Sequence, residues 1–183
     1  MRLDSRTGWI EGVTHCPSPN FNARPVGEIS LLVIHNISLP PRQFGTKKVQ
    51  AFFQNTLDPY EHPYFESIAQ MTVAAHFFIE RTGAITQFVS CLDRAWHAGI
   101  SRFESRENCN DFSIGIELEG TDDLPYEDAQ YDSLSRLSGI LMRAYPALSG
   151  RVCGHCDIAP TRKTDPGEAF DWGRFRDALK GEI

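Results

Sequence analysis

Two of the six histidines in this chain occupy positions that suit a metal site. His35 ends a short apolar run, residues 29–34, which is typical of a strand buried on both faces. Strand ends are where sheet proteins place many of their sites. His155 lies in a Gly-His-Cys-Asp segment near the other end of the chain. The two imidazoles are therefore candidate ligands of one ion; the alternative for each is an ordinary surface or core histidine.

A carboxylate and a cation follow His155 at positions that add to this hypothesis. Asp165 precedes Pro166, and a residue before proline is biased toward an extended backbone. In an extended stretch, Lys163 and Asp165 point to the same side. Two histidines and one carboxylate suit a catalytic Zn²⁺, which keeps three protein ligands and lowers the pKa of its water to about 7. The alternative is that Asp165 only forms a turn with Pro166 and Gly167.

Residues 111–119 alternate in polarity, which predicts a strand with two unlike faces. Glu117 and Glu119 share one face with Ser113 and Gly115, whose small side chains leave room for a substrate. A carboxylate on this face, close to a zinc-bound water, is a candidate general base. The alternative is a pair of solvated glutamates on an exposed sheet face.

The cysteines suggest a third kind of chemistry, which the pattern disfavours. Cys153 and Cys156 have the spacing of a redox dithiol, but such a pair normally opens a helix, and no helical pattern follows directly. A structural zinc finger needs a second Cys/His pair at finger spacing, which the sequence lacks. Five cysteines are an odd number, which fits reduced thiols in the cytoplasm better than a disulfide framework.

The elements that must position these residues follow from periodicity and turn signals. Residues 1–28 are rich in Pro, Asn and Gly and predict an irregular lead-in. The rest of the pattern predicts helices at 46–57, 127–145 and 172–180, a hairpin of 72–79 with 84–89, a short strand at 95–97, and a short strand or turn at 151–155. Together with the strands named above, this predicts one α/β domain, residues 1–183, with a central mixed β-sheet flanked by helices.

Charge and hydropathy narrow the classes of partner. The chain has 18 basic and 24 acidic residues, a net charge of −6, and no basic cluster, which argues against nucleic acid. No run approaches the ~20 apolar residues of a membrane-spanning helix. The first eight residues lack the apolar core of a secretory signal, so we expect a cytoplasmic protein without membrane contact.

Seven segments, in order along nearly the whole chain, carry a family resemblance. They are GWIEGVTHCPSPNFNARP (8–25), LLVIHNISLPPRQFG (31–45), DPYEHPYFESI (58–68), AAHFFIERTGAITQFV (74–89), RAWHAG (94–99), CNDFSIGIELEGTD (109–122) and GHCDIAPTRKTDPGEAFDW (154–172). This combination resembles the N-acetylmuramoyl-L-alanine amidase type 2 family, and is closest to its cytoplasmic branch that acts on 1,6-anhydro-muropeptides.

The resemblance implies a mixed β-sheet flanked by helices and one zinc ion per chain. The family's zinc ligands match His35, His155 and Asp165. Other branches have Cys at the third ligand position, so Asp165 points to the anhydro-muropeptide branch. The family's catalytic glutamate matches Glu117, and its catalytic lysine matches Lys163.

Further positions are assigned to the substrate by resemblance. Asn36, Trp96 and His97 lie in segments similar to the family's substrate-facing ones. Trp96 would stack on a sugar ring or be a core tryptophan, and His97 would contact substrate or hold core hydrogen bonds. Thr72 and Asn108 stand where related sequences tend to have arginine, a residue that suits peptide carboxylates.

The implied activity is that of a zinc amidohydrolase. It would hydrolyse the amide joining (1,6-anhydro-)N-acetylmuramic acid to L-alanine of muropeptides, in peptidoglycan recycling and control of β-lactamase induction. No obligate protein partner is implied, and we expect a monomer. Two other classes are a non-catalytic peptidoglycan-recognition module, which would lack a ligand, and a secreted autolysin, which would need an export signal. The chain has all three ligand candidates and no visible signal.

Overall fold

The computed structural model describes residues 1–25 and 27–182. Within these residues, the strands are β1 Arg2–Asp4, β2 Trp9–Glu11, β3 Thr14–His15, β4 Phe21–Ala23, β5 Leu31–Ile37, β6 Phe77–Ile79, β7 Ile85–Gln87, β8 Asp93–Ala95, β9 Arg102–Phe103, β10 Arg106–Glu107, β11 Ser113–Glu119 and β12 Val152–Gly154. The α-helices are α1 Lys48–Phe53, α2 Pro63–Ile68, α3 Asp128–Ala144, α4 His155–Ile158 and α5 Trp172–Lys180. Two short 3-10 helices, Cys109–Asp111 and Pro146–Leu148, complete these elements.

Six strands form one mixed sheet in the order β12–β5–β11–β6–β7–β3. Neighbouring strands run parallel except β6 and β7, which form the predicted hairpin. The longest strands, β5 and β11, lie side by side, and their register sets Glu117 opposite His35. The predicted mixed sheet flanked by helices is confirmed.

The alternation of side chains gives the central strands two unlike faces. The apolar even-numbered side chains of β5 and β11 join the main core, together with side chains of α3 and α5. Odd-numbered side chains point to the opposite face, where Leu31 and Val33 belong to a second cluster. His35 and Glu117 are odd-numbered, so the sheet directs both away from the α3–α5 layer.

The two long C-terminal helices begin at side-chain caps. At the start of α3, the Gln130 side chain accepts a hydrogen bond from the Glu127 backbone N–H at 3.1 Å. At the start of α5, Asp171 accepts one from the Arg174 N–H at 2.9 Å. The predicted helices at 127–145 and 172–180 are confirmed to within a residue. No helix among the described residues combines the length and apolar character needed to cross a bilayer.

Strand β5 is longer than the sequence predicts. The apolar run ends at Ile34, but the strand continues to Ile37 because Asn36 and Ile37 keep their pairing with β11. The prediction that His35 ends the strand is therefore wrong. His35 lies inside a central strand, where its backbone is paired with Glu117 of β11.

The N-terminal segment is more regular than predicted. Residues 1–28 include β1 to β4; β3 joins the main sheet beside β7, and β4 pairs with β8. These strands have two or three residues, too few to show alternation in a sequence. The other short elements are also displaced or shortened: helix 46–57 is limited to α1, strand 95–97 lies at β8, and the hairpin strands are limited to β6 and β7.

A single helical turn, α4, follows β12 directly, where the sequence predicts a loop. The Asp157 carboxylate accepts a hydrogen bond from the Gly154 N–H at 2.7 Å and so stabilises the first turn. His155 is the first residue of this helix, and Cys156 is the second. The short segment has no helical periodicity to detect, which is why the pattern missed it.

Candidate active site

Three potential metal ligands meet on the sheet face opposite α3 and α5. His35 Nδ1 lies 3.0 Å from His155 Nδ1 and 3.1 Å from Asp165 Oδ2. His155 Nδ1 lies 3.1 Å from the same oxygen. Among the described residues, this is the one group of three or more His, Cys, Asp or Glu side chains that converges closely enough to hold an ion. The structure thus brings together the three ligand candidates of the sequence.

Each ligand candidate comes from a different element. His35 lies on β5, His155 begins α4, and Asp165 lies in the loop between α4 and α5. The Cys156 N–H donates a hydrogen bond to the Asp165 carbonyl oxygen at 3.0 Å, which ties this loop to α4. The Gly167 N–H closes a turn around Asp165. The turn expected as the alternative is therefore present, and Asp165 faces the histidines from within it.

The second ring nitrogen of His155 indicates which nitrogen is free for an ion. Nε2 lies 3.2 Å from the carbonyl oxygen of Ala98, which can only accept, so Nε2 carries the hydrogen. Nδ1 is then the nitrogen of His155 that faces His35 and Asp165 and is available to an ion. A hydrogen bond of this kind from the other nitrogen is typical of metal-ligating histidines.

The charge states of the group also suit a cation. Burial lowers the pKa of His35 to about 4, which keeps the imidazole neutral at pH 7. Burial alone would raise the pKa of Asp165, but hydrogen bonds from His155 and His35 outweigh it and hold this pKa well below its usual range. Imidazole nitrogens and an ionised carboxylate are donors that Zn²⁺ prefers, and a tetrahedral zinc site spaces its ligand atoms about 3.3 Å apart. The residues present fit a zinc ion.

Glu117 places a second carboxyl group beside the ligand candidates. Its side chain lines the same cleft as Asp165, and its Oε2 is buried without a hydrogen-bond partner among the described residues. Burial raises the pKa of Glu117 well above its ordinary value; the charge of Asp165 raises it further, and that of Lys163 opposes both. Such a carboxyl group is typical of general acid–base catalysts. The alternative of a solvated glutamate is wrong.

Glu119 lies on the same strand face but serves the fold. Its Oε1 accepts a hydrogen bond from the Gly45 N–H at 2.5 Å, and its Oε2 accepts one from the Arg81 N–H at 3.0 Å. The residue is only 4% exposed, so the alternative of a solvated glutamate is wrong here as well. Glu119 holds the loop before α1 and the β6–β7 turn against β11.

The ligand candidates open into a cleft of about 890 Å³, a volume typical of small-molecule sites. Glu117, Lys163 and Arg162 are among the charged residues that line it. The sequence analysis did not single out Arg162. Its Nη2 donates hydrogen bonds to the carbonyl oxygens of Ala98 at 2.8 Å and Ile100 at 2.9 Å. Its position next to Lys163 is the one sequence signal that could have indicated it.

Asn36 and Trp96 also line the cleft, and both are held by hydrogen bonds within the protein. Asn36 Nδ2 donates to Asp122 Oδ1 at 2.8 Å and to the Pro166 carbonyl oxygen at 3.0 Å. The amide hydrogens of Asn36 thus hold the loop that carries the third ligand candidate. Trp96 Nε1 donates to Asn22 Oδ1 at 2.8 Å, which fixes the half-buried indole at the cleft wall.

His97 reaches the cleft, but its ring nitrogens bond to the protein. Nδ1 lies 2.9 Å from His35 Nε2, and Nε2 lies 3.1 Å from Ser113 Oγ. The ring covers Gly115 so closely that a Cβ at this glycine would lie 2.5 Å from His97 Nδ1. The prediction that Ser113 and Gly115 leave room for a substrate is wrong, because His97 fills this space.

The cysteine pair is in an environment that opposes thiol chemistry. Burial raises the pKa of Cys153 far above its ordinary value, and burial also raises the pKa of Cys156. The thiolate is the reactive form of cysteine, so neither group is activated as a nucleophile. A helix, α4, does contain Cys156, contrary to the prediction, but the surroundings of both thiols disfavour a redox role.

Comparisons with known proteins agree with this geometry. The family model described as N-acetylmuramoyl-L-alanine amidase matches residues 25–168. The curated 1,6-anhydro-N-acetylmuramyl-L-alanine amidase AmpD of Escherichia coli K12 is 55% identical over 170 residues, which cover 92% of this chain and 93% of that protein. AmpD of Haemophilus influenzae Rd is 54% identical over 179 residues, which cover 97% of each.

Solved structures extend the agreement to the fold. The crystal structure of a selenomethionine AmpD derivative has a TM-score of 0.95 at 53% identity, covering 98% of this chain and 99% of that one. The solution structure of Citrobacter freundii AmpD has a TM-score of 0.71 at 52% identity, covering 100% and 97%. The predicted fold and the predicted family are confirmed by these matches. The chain belongs to the N-acetylmuramoyl-L-alanine amidase family.

Proposed function

We propose that this chain is a zinc-dependent amidase that hydrolyses the bond between N-acetylmuramic acid and L-alanine in muropeptides, including the 1,6-anhydro form. One observation carries this: three ligand atoms converge within 3.1 Å of one another, and the same cleft holds a buried carboxyl oxygen of Glu117 that has no partner among residues 1–25 and 27–182. Relatives of 54–55% identity are named for cleavage of the 1,6-anhydro compound. The reaction belongs to peptidoglycan recycling, where it also removes the muropeptides that control β-lactamase induction.

His35, His155 and Asp165 would hold one zinc ion per chain. Zinc bound there supplies a Lewis acid and lowers the pKa of a water toward about 7. The protein prepares for this role by keeping the His35 imidazole neutral, by engaging His155 Nε2 with the Ala98 carbonyl so that Nδ1 faces the site, and by holding the Asp165 carboxyl ionised. Three protein ligands are the number that a hydrolytic zinc site typically has.

Glu117 is the general base and then the general acid. Its carboxylate takes a proton from the attacking water, and the resulting carboxylic acid delivers that proton to the nitrogen of the leaving alanine. Two features support this assignment. Oε2 of Glu117 has no competing partner among the described residues, and its raised pKa favours taking up the proton that the second step delivers.

Lys163 stabilises the negative charge that develops on the carbonyl oxygen during attack. Its ammonium group is in the same cleft wall as Asp165, and its charge acts on Glu117. A positioned donor of this kind typically contributes about 3–4 kcal/mol to the stability of the transition state. In this proposal, Lys163 stabilises the developing charge and Glu117 transfers the proton.

The cleft walls supply contacts for the sugar and the peptide. Trp96, anchored by Asn22, offers an indole suited to stacking on the sugar. Thr72 lines the cleft where relatives tend to have arginine, so this wall offers less charge to a peptide carboxylate. Arg162 supplies a guanidinium in the same cleft. Asn36 has Oδ1 left for a substrate hydroxyl or amide, because Nδ2 is engaged.

The cellular setting is part of the same proposal. All five cysteines lie among the described residues and are free thiols, which fits a reducing compartment such as the cytoplasm. Recycled anhydro-muropeptides are a small substrate that one chain can bind, so we place the activity in a monomer without an obligate protein partner.

Mass spectrometry of the products from a defined 1,6-anhydro-N-acetylmuramyl tripeptide tests the proposal. We expect a free tripeptide with an L-alanine amino terminus and 1,6-anhydro-N-acetylmuramic acid. Chelation should stop the reaction, and one equivalent of zinc should restore it. Cleavage within the peptide, or a substrate that stays intact with zinc-loaded protein, would reject the amidase assignment.

A further inference from the structure

The imidazole of His97 is built into the support of His35 and has no free ring nitrogen. His97 Nδ1 lies 2.9 Å from His35 Nε2, and the two rings meet edge to face with centroids 5.0 Å apart. On its other side, His97 Nε2 lies 3.1 Å from Ser113 Oγ. A substrate in the cleft can therefore touch only carbon atoms of this ring.

Several features hold the ring rigidly at this place. The side-chain oxygen of Asn110 accepts hydrogen bonds from the backbone N–H groups of His97 at 3.1 Å and Ala98 at 2.8 Å. Beneath the ring lies Gly115, where any Cβ would come within 2.5 Å of Nδ1. The backbone of Gly115 is itself held by His76, whose Nδ1 accepts its N–H at 3.1 Å. The position of the His97 ring thus depends on a glycine in the central strand.

The direction of the hydrogen bonds is coupled to the ligand role of His35. His35 Nδ1 faces His155 and Asp165, so a neutral His35 must carry its hydrogen on Nε2 to offer a lone pair to an ion. That hydrogen can be donated only if His97 Nδ1 accepts it. His97 then carries its own hydrogen on Nε2 and donates it to Ser113 Oγ.

The opposite arrangement would exclude a cation. If His97 Nδ1 donated to His35 Nε2, the hydrogen of His35 would move to Nδ1 and point at the other two ligand candidates. Ser113 Oγ can accept from His97 Nε2 in the first arrangement and donate to it in the second, so it permits both, and only the first arrangement offers His35 Nδ1 to an ion.

We propose that His97 is a positioning residue that orients His35 and accepts its Nε2 hydrogen when an ion is bound, and that it is not a substrate-binding residue. The proposal rests on the proposed function only for the identity of the ion. Residues that orient metal-ligating histidines typically change metal affinity by about 10- to 100-fold when they are removed.

Two substitutions separate this role from packing and from substrate contact. His97→Asn keeps an acceptor oxygen near the position of Nδ1, whereas His97→Leu has a similar volume and no acceptor. We expect His97→Leu to weaken zinc binding, measured by competition with a chelator, by about 10- to 100-fold. His97→Asn should stay within a few-fold of the wild type. If both variants bound zinc like the wild type and only KM rose, His97 would be a substrate contact and the proposal would fail.

The hydrogen positions can be read without substrate or variants. In ¹⁵N NMR spectra of the zinc-loaded wild-type protein at neutral pH, we expect the hydrogen of His97 on Nε2, with His97 Nδ1 accepting from His35 Nε2. A His97 hydrogen on Nδ1 would overturn the proposal even if no variant folded. Because this readout needs no activity, a failed amidase assay would reject the proposed function and leave this result intact.

Discussion

Glu117 and Glu119 lie on the same face of β11, separated by one residue, and they have opposite surroundings. Both carboxylate oxygens of Glu119 accept backbone N–H groups from neighbouring loops. Oε2 of Glu117 is buried without a partner among the described residues, in a cleft it shares with Lys163 and Asp165. Strand β11 directs both side chains to the same face, so their position on the strand does not determine their different roles.

What differs is the use of each carboxyl group by the rest of the fold. The Glu119 carboxylate holds two loops with its hydrogen bonds, so removing this carboxylate should lower the free energy of unfolding. The Glu117 carboxyl group holds no loop, and burial raises its pKa well above the ordinary value. Its removal should act on turnover. The two glutamates therefore form a matched pair in which function and structure can be separated.

The largest expected effect is on turnover in Glu117→Gln. Without the carboxylate, no group takes the proton of the attacking water, so kcat should fall by about 100- to 10,000-fold. Glu119→Gln should stay within a few-fold of the wild type in the same assay of anhydro-muropeptide hydrolysis. Equal losses in both variants would break the distinction between the two glutamates.

A smaller loss is expected for Lys163→Met. Removal of its charge should lower kcat by about 100- to 1,000-fold, since one stabilising donor is lost. The charge of Lys163 also lowers the pKa of Glu117, so the acidic limb of the kcat/KM profile should move to higher pH in any variant with residual activity. A profile that moves to lower pH, or a rate near that of the wild type, would contradict the role of Lys163.

Glu119→Gln is expected to destabilise the fold. A glutamine can accept one of the two backbone hydrogen bonds but turns an amide N–H₂ toward the other donor. Leaving a buried N–H of Gly45 or Arg81 unsatisfied should lower the free energy of unfolding by about 1–3 kcal/mol. Urea unfolding of the metal-free protein measures this, with Glu117→Gln as the matched control. An unchanged midpoint would show that Glu119 is not a support of the loops.

The smallest expected effect is a gain of stability in metal-free Glu117→Gln at pH 8. The folded-state pKa of Glu117 is raised, so the folded state binds more protons than the unfolded state above pH ~4.3. Ionisation of Glu117 therefore lowers the free energy of unfolding of the wild type increasingly as pH rises, and the glutamine variant lacks this contribution. The difference in unfolding free energy should shrink as pH falls toward 4. A gain that grows as pH falls would have the wrong sign.

The central sheet could be predicted because its two main strands carry signals of their own. The apolar run at 29–34 indicates a strand buried on both faces, and the alternation at 111–119 indicates one with unlike faces. The ligand candidates could be chosen by residue type and family resemblance. The place where they meet could not be predicted, because His35 contacts partners 120 and 130 residues away in the sequence. Their roles, like those of Glu117 and Lys163, stay predictions until they are measured.

The packing of the His97 ring shows most clearly what could not be predicted from the sequence. It depends on the missing Cβ of Gly115 and on the side chain of Asn110, and neither has a periodicity that links it to residue 97. The family pattern suggested a substrate contact, whereas both ring nitrogens bond within the protein. Space above Gly115, which looked free in the alternation of β11, is filled from another part of the chain.

The most direct test of the site is the zinc content of purified wild-type, Asp165→Ala and Glu117→Gln proteins, measured together with their rates of muropeptide hydrolysis. We predict about one zinc per chain in the wild type and in Glu117→Gln, little zinc in Asp165→Ala, and efficient hydrolysis in the wild type alone. A wild-type protein that hydrolyses the substrate without zinc, or an Asp165→Ala protein that keeps its zinc and its rate, would contradict the metal centre described above.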